Sequence, residues 1–123
     1  GNEMVITVVG CGGDRDRGKR PLMGRIACQF SDQVIFTSDN PRTEDPNFII
    51  EEMQKGVEPI DYKKTVAIPS RKEAIKMAVS IAHAGDILLI AGKGHENYQI
   101  VGDQTLPFDD MQVLNETLKV LDK

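Results

Sequence analysis

The sequence has no long apolar run, few cysteines and no excess of positive charge. No apolar stretch approaches the roughly 20 residues of a membrane-spanning helix, and residues 1–4 lack the charged and apolar regions of a secretory signal peptide. The two cysteines, Cys11 and Cys28, are too few for a disulfide framework. With 15 Lys and Arg against 19 Asp and Glu, the net charge of −4 disfavours nucleic-acid binding. We therefore expect a cytoplasmic protein with reduced thiols and with neither a membrane nor a nucleic-acid partner.

Length and composition fit one globular domain. A chain of 123 residues is too short for two comfortable independent cores. It is long enough to bury roughly two-thirds of the surface that its unfolded chain exposes, so folding requires no disulfide or metal. Apolar residues make up 40% and charged residues 28%, which is ordinary for a folded domain. We expect residues 1–123 to form a single domain.

Strand-like and helix-like segments alternate along the chain. Short runs rich in β-branched and apolar residues predict four strands, at 6–10, 33–38, 65–69 and 86–91. Further along, residues 98–101 and 105–108 flank a Gly-Asp-Gln turn and predict a hairpin. The alternation indicates βαβ units. It therefore predicts an α/β fold with a mainly parallel sheet and a carboxy-terminal hairpin.

Capping residues mark where the predicted helices begin. Asp45 is a cap, and the proline after it suits the first turn of a helix over 46–55. Ser70 and Glu73 have the spacing of a capping box for a helix that runs to 84. Asp109 caps the last helix in the same way.

Apolar residues recur at helical spacing in the first and last helices. The first helix begins at Pro21, and its apolar positions are Leu22, Ile26 and Phe30. The last helix is expected to direct four residues into the core, namely Met111, Leu114, Leu118 and Leu121.

Three polar loops each follow a predicted strand directly, at 11–20, 39–42 and 92–96. The right-handed crossover rule places the carboxyl ends of parallel strands at one edge of the sheet. Open α/β sheets bind their ligands at that edge. We therefore expect the three loops to converge on one cleft if their strands are neighbours.

The loop 11–20 has the spacing of a phosphate-binding loop without its full chemistry. Gly13, Gly18 and Lys19 match the P-loop spacing, but Arg20 occupies the position that needs Ser or Thr to hold magnesium. Two nearby aspartates would also repel a phosphate. Two interpretations stay open: a solvated turn of mixed charge, or a glycine turn that projects Arg15 over the sheet edge. In the second, Arg15 could grip a carboxylate through two hydrogen bonds.

The loop 39–42 combines a stiff backbone with polar side chains. Pro41 fixes its own φ angle and favours an extended conformation for Asn40. The result is a platform that presents an amide and the guanidinium of Arg42. Taken alone, the four residues are more typical of an ordinary turn that leads into the next helix.

The loop 92–96 offers open backbone and both signs of charge. Its glycines permit a ligand to approach the main chain closely. Glu96 can receive an ammonium group, and Lys93 can meet an anion. His83 and His95 are the only histidines, which makes a metal site a weak hypothesis. His95 as a general base lacks an identified orienting partner.

Two residues near these loops admit two interpretations each. Cys11 follows a strand end and could be reactive, although a small packed cysteine is the more common case. Arg71 could reach the ligand edge, or it could be solvated or paired at its helix start.

Together the three loops closely resemble those of one family. Cys-Gly-Gly-Asp-Arg-Asp-Arg-Gly-Lys-Arg-Pro at 11–21, Asp-Asn-Pro-Arg at 39–42 and Ala-Gly-Lys-Gly-His-Glu at 91–96 resemble the carboxy-terminal domain of the MurE group of Mur ligases. These are the amino-acid-adding ligases of peptidoglycan synthesis. The likeness spans essentially the whole chain and includes Tyr98-Gln99-Ile100. It implies a Rossmann-like three-layer domain.

The resemblance implies one domain of a longer ATP-dependent bacterial ligase. Such a ligase joins an amino acid to UDP-N-acetylmuramoyl-L-alanyl-D-glutamate through an acyl phosphate that the incoming amine displaces. By resemblance, the amino-terminal domain holds the UDP sugar, and the central domain holds ATP and Mg2+ with a P-loop and a carbamylated lysine. The third domain, which this chain resembles, binds the amino acid and closes over ATP. The chain alone is therefore expected to carry no catalytic residue, no metal and no ligation activity.

The resemblance also assigns residues to the amino acid. It implies that meso-diaminopimelate is bound by Arg15, Asp39, Asn40, Pro41, Arg42, Gly92 and Glu96. The pattern at 39–42 is associated with diaminopimelate-adding members, whereas lysine-adding members differ at the arginine. Asp14 is a weaker candidate, for a nucleotide contact at the domain interface.

Charge pairing agrees with that substrate. Diaminopimelate carries a distal carboxylate and ammonium, whereas lysine carries only the distal ammonium. An arginine aimed at the distal carboxylate would be left unpaired if lysine were bound instead, which is costly. Glu96 suits the ammonium.

Two other functions stay open: a free-standing module for a zwitterionic amino acid, and a small nucleotide-binding Rossmann domain. The first loop does not match the G-x-G-x-x-G pattern of the latter.

Overall fold

A computed structural model describes residues 3–14, 16–91, 98–102 and 104–122. Four parallel strands form a sheet in the order β3-β2-β1-β4, and two further strands pair as an antiparallel hairpin. The elements in chain order are β1 (Val5–Cys11), α1 (Lys19–Phe30), β2 (Gln33–Ser38), α2 (Pro46–Gln54), a 3-10 helix (Pro59–Lys64), β3 (Thr65–Ala67), α3 (Arg71–Ile81), β4 (Ile87–Ala91), β5 (Tyr98–Val101), β6 (Gln104–Pro107) and α4 (Asp110–Val120). The predicted α/β fold, parallel sheet and carboxy-terminal hairpin are confirmed.

Several element bounds differ from the prediction; α1, for example, begins at Lys19 and not at Pro21. Residues 59–64, expected as loop, form a 3-10 helix that Pro59 begins. β3 stops at Ala67 rather than at 69, where the proline has no N–H to donate to a ladder. α3 stops at Ile81 rather than at 84, because Ala82 already has an extended backbone, with φ −76° and ψ 142°. The capping residues are as predicted: the Ser70 side chain accepts from the Glu73 N–H over 3.3 Å.

The helices cover both faces of the sheet, so helices and sheet together form three layers. Side chains of β1 and β2 alternate between two buried clusters, because successive residues of a strand point to opposite faces. Val9 and Phe36 pack with α1 and α2 on one face. Val8 and Ile35 pack with α3 and α4 on the other. The sheet is therefore the middle layer of a Rossmann-like fold.

The buried face of α1 is not the one that apolar spacing suggests. Leu22 is 54% exposed and Phe30 73%, whereas Arg20, Gly24 and Cys28 are buried. A Cβ at Gly24 would overlap the Met53 carbonyl, so the absence of a side chain lets α2 pack directly against α1. None of the described helices is long and apolar enough to cross a membrane.

The prediction for the last helix is half right. Leu114 and Leu118 pack into the core with Val113, but Met111 is 63% exposed and Leu121 40%. Asp110 occupies the inward position of the first turn, which turns the next residue, Met111, outward. Leu121 follows the last helical residue.

Candidate functional site

The carboxyl ends of β1, β2 and β4 lie side by side at one edge of the sheet. Cys11 at the end of β1 is in register with Ser38 at the end of β2. Ala91 at the end of β4 pairs with Val9, two residues before the end of β1. The three polar loops therefore start from neighbouring strands, as the sequence predicts.

The first two loops are in direct contact. The Gly13 N–H donates to the Asn40 carbonyl over 2.6 Å. Arg42 donates from Nη1 to the carbonyls of Gly13, over 2.9 Å, and of Asn40, over 3.3 Å. A Cβ at Gly13 would overlap the carbonyl of Pro41, so only glycine fits this contact. The guanidinium of Arg42 is thus anchored at the sheet edge by backbone of both loops.

Asp14 and Thr43 extend this contact outward. Asp14 has a left-handed backbone, with φ 55°, and so does Arg42, with φ 52°. The Thr43 hydroxyl donates to the Asp14 carboxylate, at 2.6 Å from Oδ1 and 2.8 Å from Oδ2. The Asp14 carboxylate therefore fastens one loop to the other, in addition to the nucleotide role that we predict for it.

Arg20 explains why the loop 11–20 departs from a phosphate-binding loop. Its side chain is 1% exposed and forms ion pairs of 2.6 Å with Glu44 and with Glu52. It also donates to the Gly12 carbonyl over 3.0 Å. The position that holds magnesium in a P-loop instead ties the loop to α2 and to the segment after Arg42. Arg17 forms a second ion pair with Glu52, at 2.7 Å.

This network shifts the pKa values of its members. Hydrogen bonds from Arg17 and Arg20 lower the pKa of Glu52 to about 2, against the opposing effect of burial. The hydrogen bond from Arg20 likewise lowers the pKa of Glu44. Both carboxylates therefore stay ionised at neutral pH, which keeps the buried Arg20 compensated.

A second buried arginine lies behind the strand ends. Arg71, the first residue of α3, forms a two-pronged ion pair with Asp110, with both contacts at 2.7 Å. Its remaining hydrogen bonds go to the carbonyls of Ser38, over 3.1 Å, and Ala91, over 3.4 Å. Arg71 is therefore paired, and it also reaches the strand ends at this edge of the sheet.

The hairpin closes over the loop 39–42. Gln99 in β5 donates from Nε2 to the Ser38 hydroxyl over 3.1 Å and to the Asp39 carbonyl over 2.6 Å. At the hairpin turn, the Gly102 N–H donates to the Arg42 carbonyl over 2.5 Å. Gly102 has a φ of 63°, a conformation that glycine adopts without strain. The hairpin thus contributes to the shape of the edge.

A cavity of about 350 Å³ opens at the end of β1. Its lining residues are Gly10, Cys11, Gly12, Asp16, Lys19, Met23 and Asp39. The Cys11 thiol contacts the Met23 sulfur at 3.4 Å, and burial raises the pKa of this thiol to about 11. Cys11 is therefore protonated at neutral pH and acts as a packed residue, not as a nucleophile.

A second cavity, a groove of about 500 Å³ between α3 and α4, has none of the three loops in its described lining.

The predicted site residues divide into two groups. Asp14 and the whole segment 39–42 lie together at the edge, with Asp39 8% and Asn40 2% exposed. Arg15, Gly92 and Glu96 lie outside the described residues. Their assignment to the amino acid stays a prediction, as do the amino-acid contacts of the segment 39–42 and the nucleotide contact of Asp14.

Sequence reasoning missed the side chains that support the loops, namely Arg20, Glu44, Asp110 and Gln99. One signal was available. A cation in the first turn of a helix opposes the helix dipole, and both buried arginines stand there, Arg20 in α1 and Arg71 in α3. An arginine in that position indicates a nearby carboxylate.

The described part of the edge is suited to binding. It offers the Arg42 guanidinium, the polar backbone of two loops and a cavity beside them. A guanidinium fixed in this way is the group that best recognises a carboxylate. The fold and the edge define a class: the Rossmann-like α/β domains, whose ligand sites lie at the carboxyl ends of the parallel strands.

Residues 1–94 match the family model described as "Mur ligase, glutamate ligase domain". The chain belongs to this family of Mur ligase domains.

Similar proteins carry one recurrent description. The chain is 55% identical over 123 residues to a UDP-N-acetylmuramoyl-L-alanyl-D-glutamate--2,6-diaminopimelate ligase of Cytophaga hutchinsonii, covering 100% of this chain and 25% of the relative. It is 54% identical over 116 residues to the Bacteroides thetaiotaomicron ligase of that description, covering 94% of this chain and 24% of the relative. A solved structure of a ligase with the same description has a TM-score of 0.91 at 46% identity, over 100% of this chain and 25% of that one. The chain thus spans about a quarter of the length of these relatives.

Proposed function

We propose that this chain is the amino-acid-selecting domain of an ATP-dependent ligase that adds meso-diaminopimelate to UDP-N-acetylmuramoyl-L-alanyl-D-glutamate. The observation that carries the proposal is the anchored guanidinium of Arg42, held by Gly13 and Asn40 at the sheet edge. The descriptions of the similar ligases support the same substrate.

The amino acid would be recognised by opposite charges at its two ends. Meso-diaminopimelate has two amino-acid heads, each with a carboxylate and an ammonium group. Arg42, with Arg15, supplies guanidinium groups for carboxylates, and Glu96 supplies a carboxylate for an ammonium. Asp39, Asn40, Pro41 and Gly92 complete the site with polar groups and close backbone approach, and Asp14 contacts the nucleotide.

The proposal includes a division of labour within a longer bacterial protein. Residues 1–123 act as one domain, and amino-terminal and central domains of the same polypeptide bind the UDP sugar, ATP and Mg2+. ATP supplies the phosphate that activates the glutamate carboxylate. This chain selects and orients the amine that attacks it, and closure of the domain over ATP completes the site. The ligase works in the cytoplasm.

A titration of the isotope-labelled chain tests the proposal. Amide resonances are followed by NMR while meso-diaminopimelate, L-lysine or a dinucleotide is added. We expect saturable shifts of the Asn40, Arg42 and Gly92 amides with meso-diaminopimelate and weaker ones with L-lysine. Equal responses to both amino acids would contradict the selecting role, and a response to the dinucleotide alone would favour a nucleotide-binding domain.

The activity of the longer ligase provides a second test. The full-length enzyme is assayed with ATP, Mg2+ and the UDP-linked dipeptide, and phosphate release is measured with each amino acid. We expect turnover with meso-diaminopimelate well above that with L-lysine. Turnover that does not depend on the amino acid would contradict the proposal.

A further inference from the structure

Arg71 joins two strand ends that the sheet keeps apart. Ser38 is the last residue of β2 and Ala91 the last of β4, and β1 runs between these strands. The Arg71 guanidinium bridges them, with one nitrogen donating to the Ser38 carbonyl and another to the Ala91 carbonyl. The residues that follow these two carbonyls begin the loops 39–42 and 92–96.

Asp110 fixes the orientation of this bridge. It accepts from Nε and Nη2 of Arg71, so the plane of the guanidinium is set by two short contacts. The Arg71 side chain is 0% exposed and the Asp110 side chain 10%. Asp110 stands in the first turn of α4, where the helix dipole stabilises a carboxylate.

Stability alone is a poor reason for this arrangement. A buried ion pair loses much of its attraction to the cost of removing both charges from water, and apolar residues of similar volume often serve stability as well. Arg71 also opposes the dipole of its own helix. What the arginine provides, and an apolar residue could not, is a rigid fork that holds two carbonyls and a carboxylate at fixed distances.

We propose that Arg71, oriented by Asp110, is a positioning residue for the amino-acid site. It sets the spacing between the ends of β2 and β4, the two strands after which the segments 39–42 and 92–96 follow in the chain. This inference rests on the proposed function, since it assigns both loops to one amino-acid ligand.

Two variants separate geometry from charge. Arg71→Lys keeps the positive charge but replaces the planar fork by a single ammonium, which cannot reproduce the same set of contacts. Asp110→Asn keeps the shape of the partner and leaves the fork without its carboxylate. If one variant fails to fold, the other still tests the inference.

Lys64→Met is the matched control. Lys64 also donates to two carbonyls, those of Cys28 over 3.1 Å and Ser31 over 3.3 Å, but these lie near the start of β2, at the opposite edge of the sheet. Its loss should lower stability without reaching the loops.

Hydrogen exchange of the chain, measured by NMR, gives a readout that needs no ligand. In Arg71→Lys and Asp110→Asn we expect amides of the segment 39–42 to exchange about tenfold faster or more, because local opening becomes easier. Amides in the middle of β1 should change only as much as global stability does. In Lys64→Met, the exchange rates of the 39–42 amides should change only as much as the global stability does.

Kinetics of the full-length ligase distinguish positioning from a purely structural role. A purely structural role would not change the KM for meso-diaminopimelate selectively. We expect the KM for meso-diaminopimelate to rise about tenfold or more in both variants, since small misplacements of binding groups have effects of this size. The KM for ATP should be unchanged. Unaltered exchange, or faster exchange with an unaltered KM for meso-diaminopimelate, would overturn the positioning role alone. A wild-type ligase that does not use meso-diaminopimelate would overturn the proposed function and this inference with it.

Discussion

Arg42 donates a hydrogen bond from Nη1 to the carbonyl oxygen of Gly13 over 2.9 Å, across 29 positions of the chain. The contact places a flexible side chain against the rigid end of the sheet before any ligand arrives. A group that is already ordered loses less conformational entropy on binding. Under the proposed function, we therefore expect the guanidinium to discriminate between ligands that differ by one carboxylate.

Arg42→Ala should remove the preference for meso-diaminopimelate over L-lysine. Hydrogen bonds to charged groups contribute about 1.5–3 kcal/mol, so the affinity for meso-diaminopimelate should fall about tenfold to a hundredfold while that for L-lysine changes little. NMR titration of the labelled chain measures both affinities. Arg25→Ala is the control, because Arg25 is exposed and pairs with Glu58 at 3.6 Å, on α1 and away from the edge. A preference that survives in Arg42→Ala would contradict the assignment.

Gly13→Ala should separate the first two loops. The added Cβ would overlap the Pro41 carbonyl, and that carbonyl belongs to the backbone and cannot turn aside. Overpacking of this kind costs about 1–3 kcal/mol. We expect lower stability in urea and weaker binding of meso-diaminopimelate.

Gly18→Ala is the matched control for that variant. A Cβ at Gly18 would lie 3.2 Å from Oδ1 of Asp16, which is the end of an exposed side chain and not backbone. The backbone at Gly18 is already helical, with φ −63° and ψ −25°. Gly18→Ala should therefore keep the wild-type stability in urea and the wild-type affinity for meso-diaminopimelate. Equal damage in the two variants would show that the loop as a whole, and not the Gly13 contact, is sensitive.

The elements and the loop positions were predictable because they depend on local sequence. Runs of β-branched residues, three side-chain caps and the Gly-Asp-Gln turn identify the strands and helices. The parallel sheet then follows from the alternation, and the shared edge follows from the crossover rule. For these reasons the meeting of the first two loops could be expected before any coordinates.

The supporting contacts could not be predicted because they join distant residues. Arg71 and Asp110 are 39 positions apart, and each alone is typical of a solvated helix start. The buried face of α1 depends on a backbone approach at Gly24, which apolar spacing does not register. Met111 was misplaced for a related reason, since Asp110 takes the inward position beside it.

The Cys11 thiol should react slowly in the folded chain. Burial raises its pKa from 9.0 to about 11, so at pH 8 its thiolate fraction is about a hundredfold lower than that of an ordinary cysteine. Alkylation with iodoacetamide, followed by mass spectrometry in a Cys28→Ala background, measures the rate. Unfolding in urea should restore the ordinary rate. Rapid alkylation of the folded chain would contradict the packed environment next to Met23.

Acid should weaken the fold through Glu52. The arginines around it lower its pKa from 4.5 to about 2, so the folded state binds fewer protons than the unfolded state in this range. The stability that Glu52 contributes is therefore fully present above pH 4.5 and is lost as the pH falls towards 2. Urea unfolding at a series of pH values measures the free energy of unfolding across this window.

Glu52→Gln should flatten that pH dependence and lower stability at pH 7, because Arg20 loses one of its two carboxylates while it stays buried. Glu51→Gln, at an exposed position of the same helix, should leave both the slope and the stability at pH 7 nearly unchanged. The comparison separates the buried network from the general effect of removing a negative charge from α2. A slope between pH 4.5 and 2 that is the same in wild type and Glu52→Gln would mean that other carboxylates dominate the acid response.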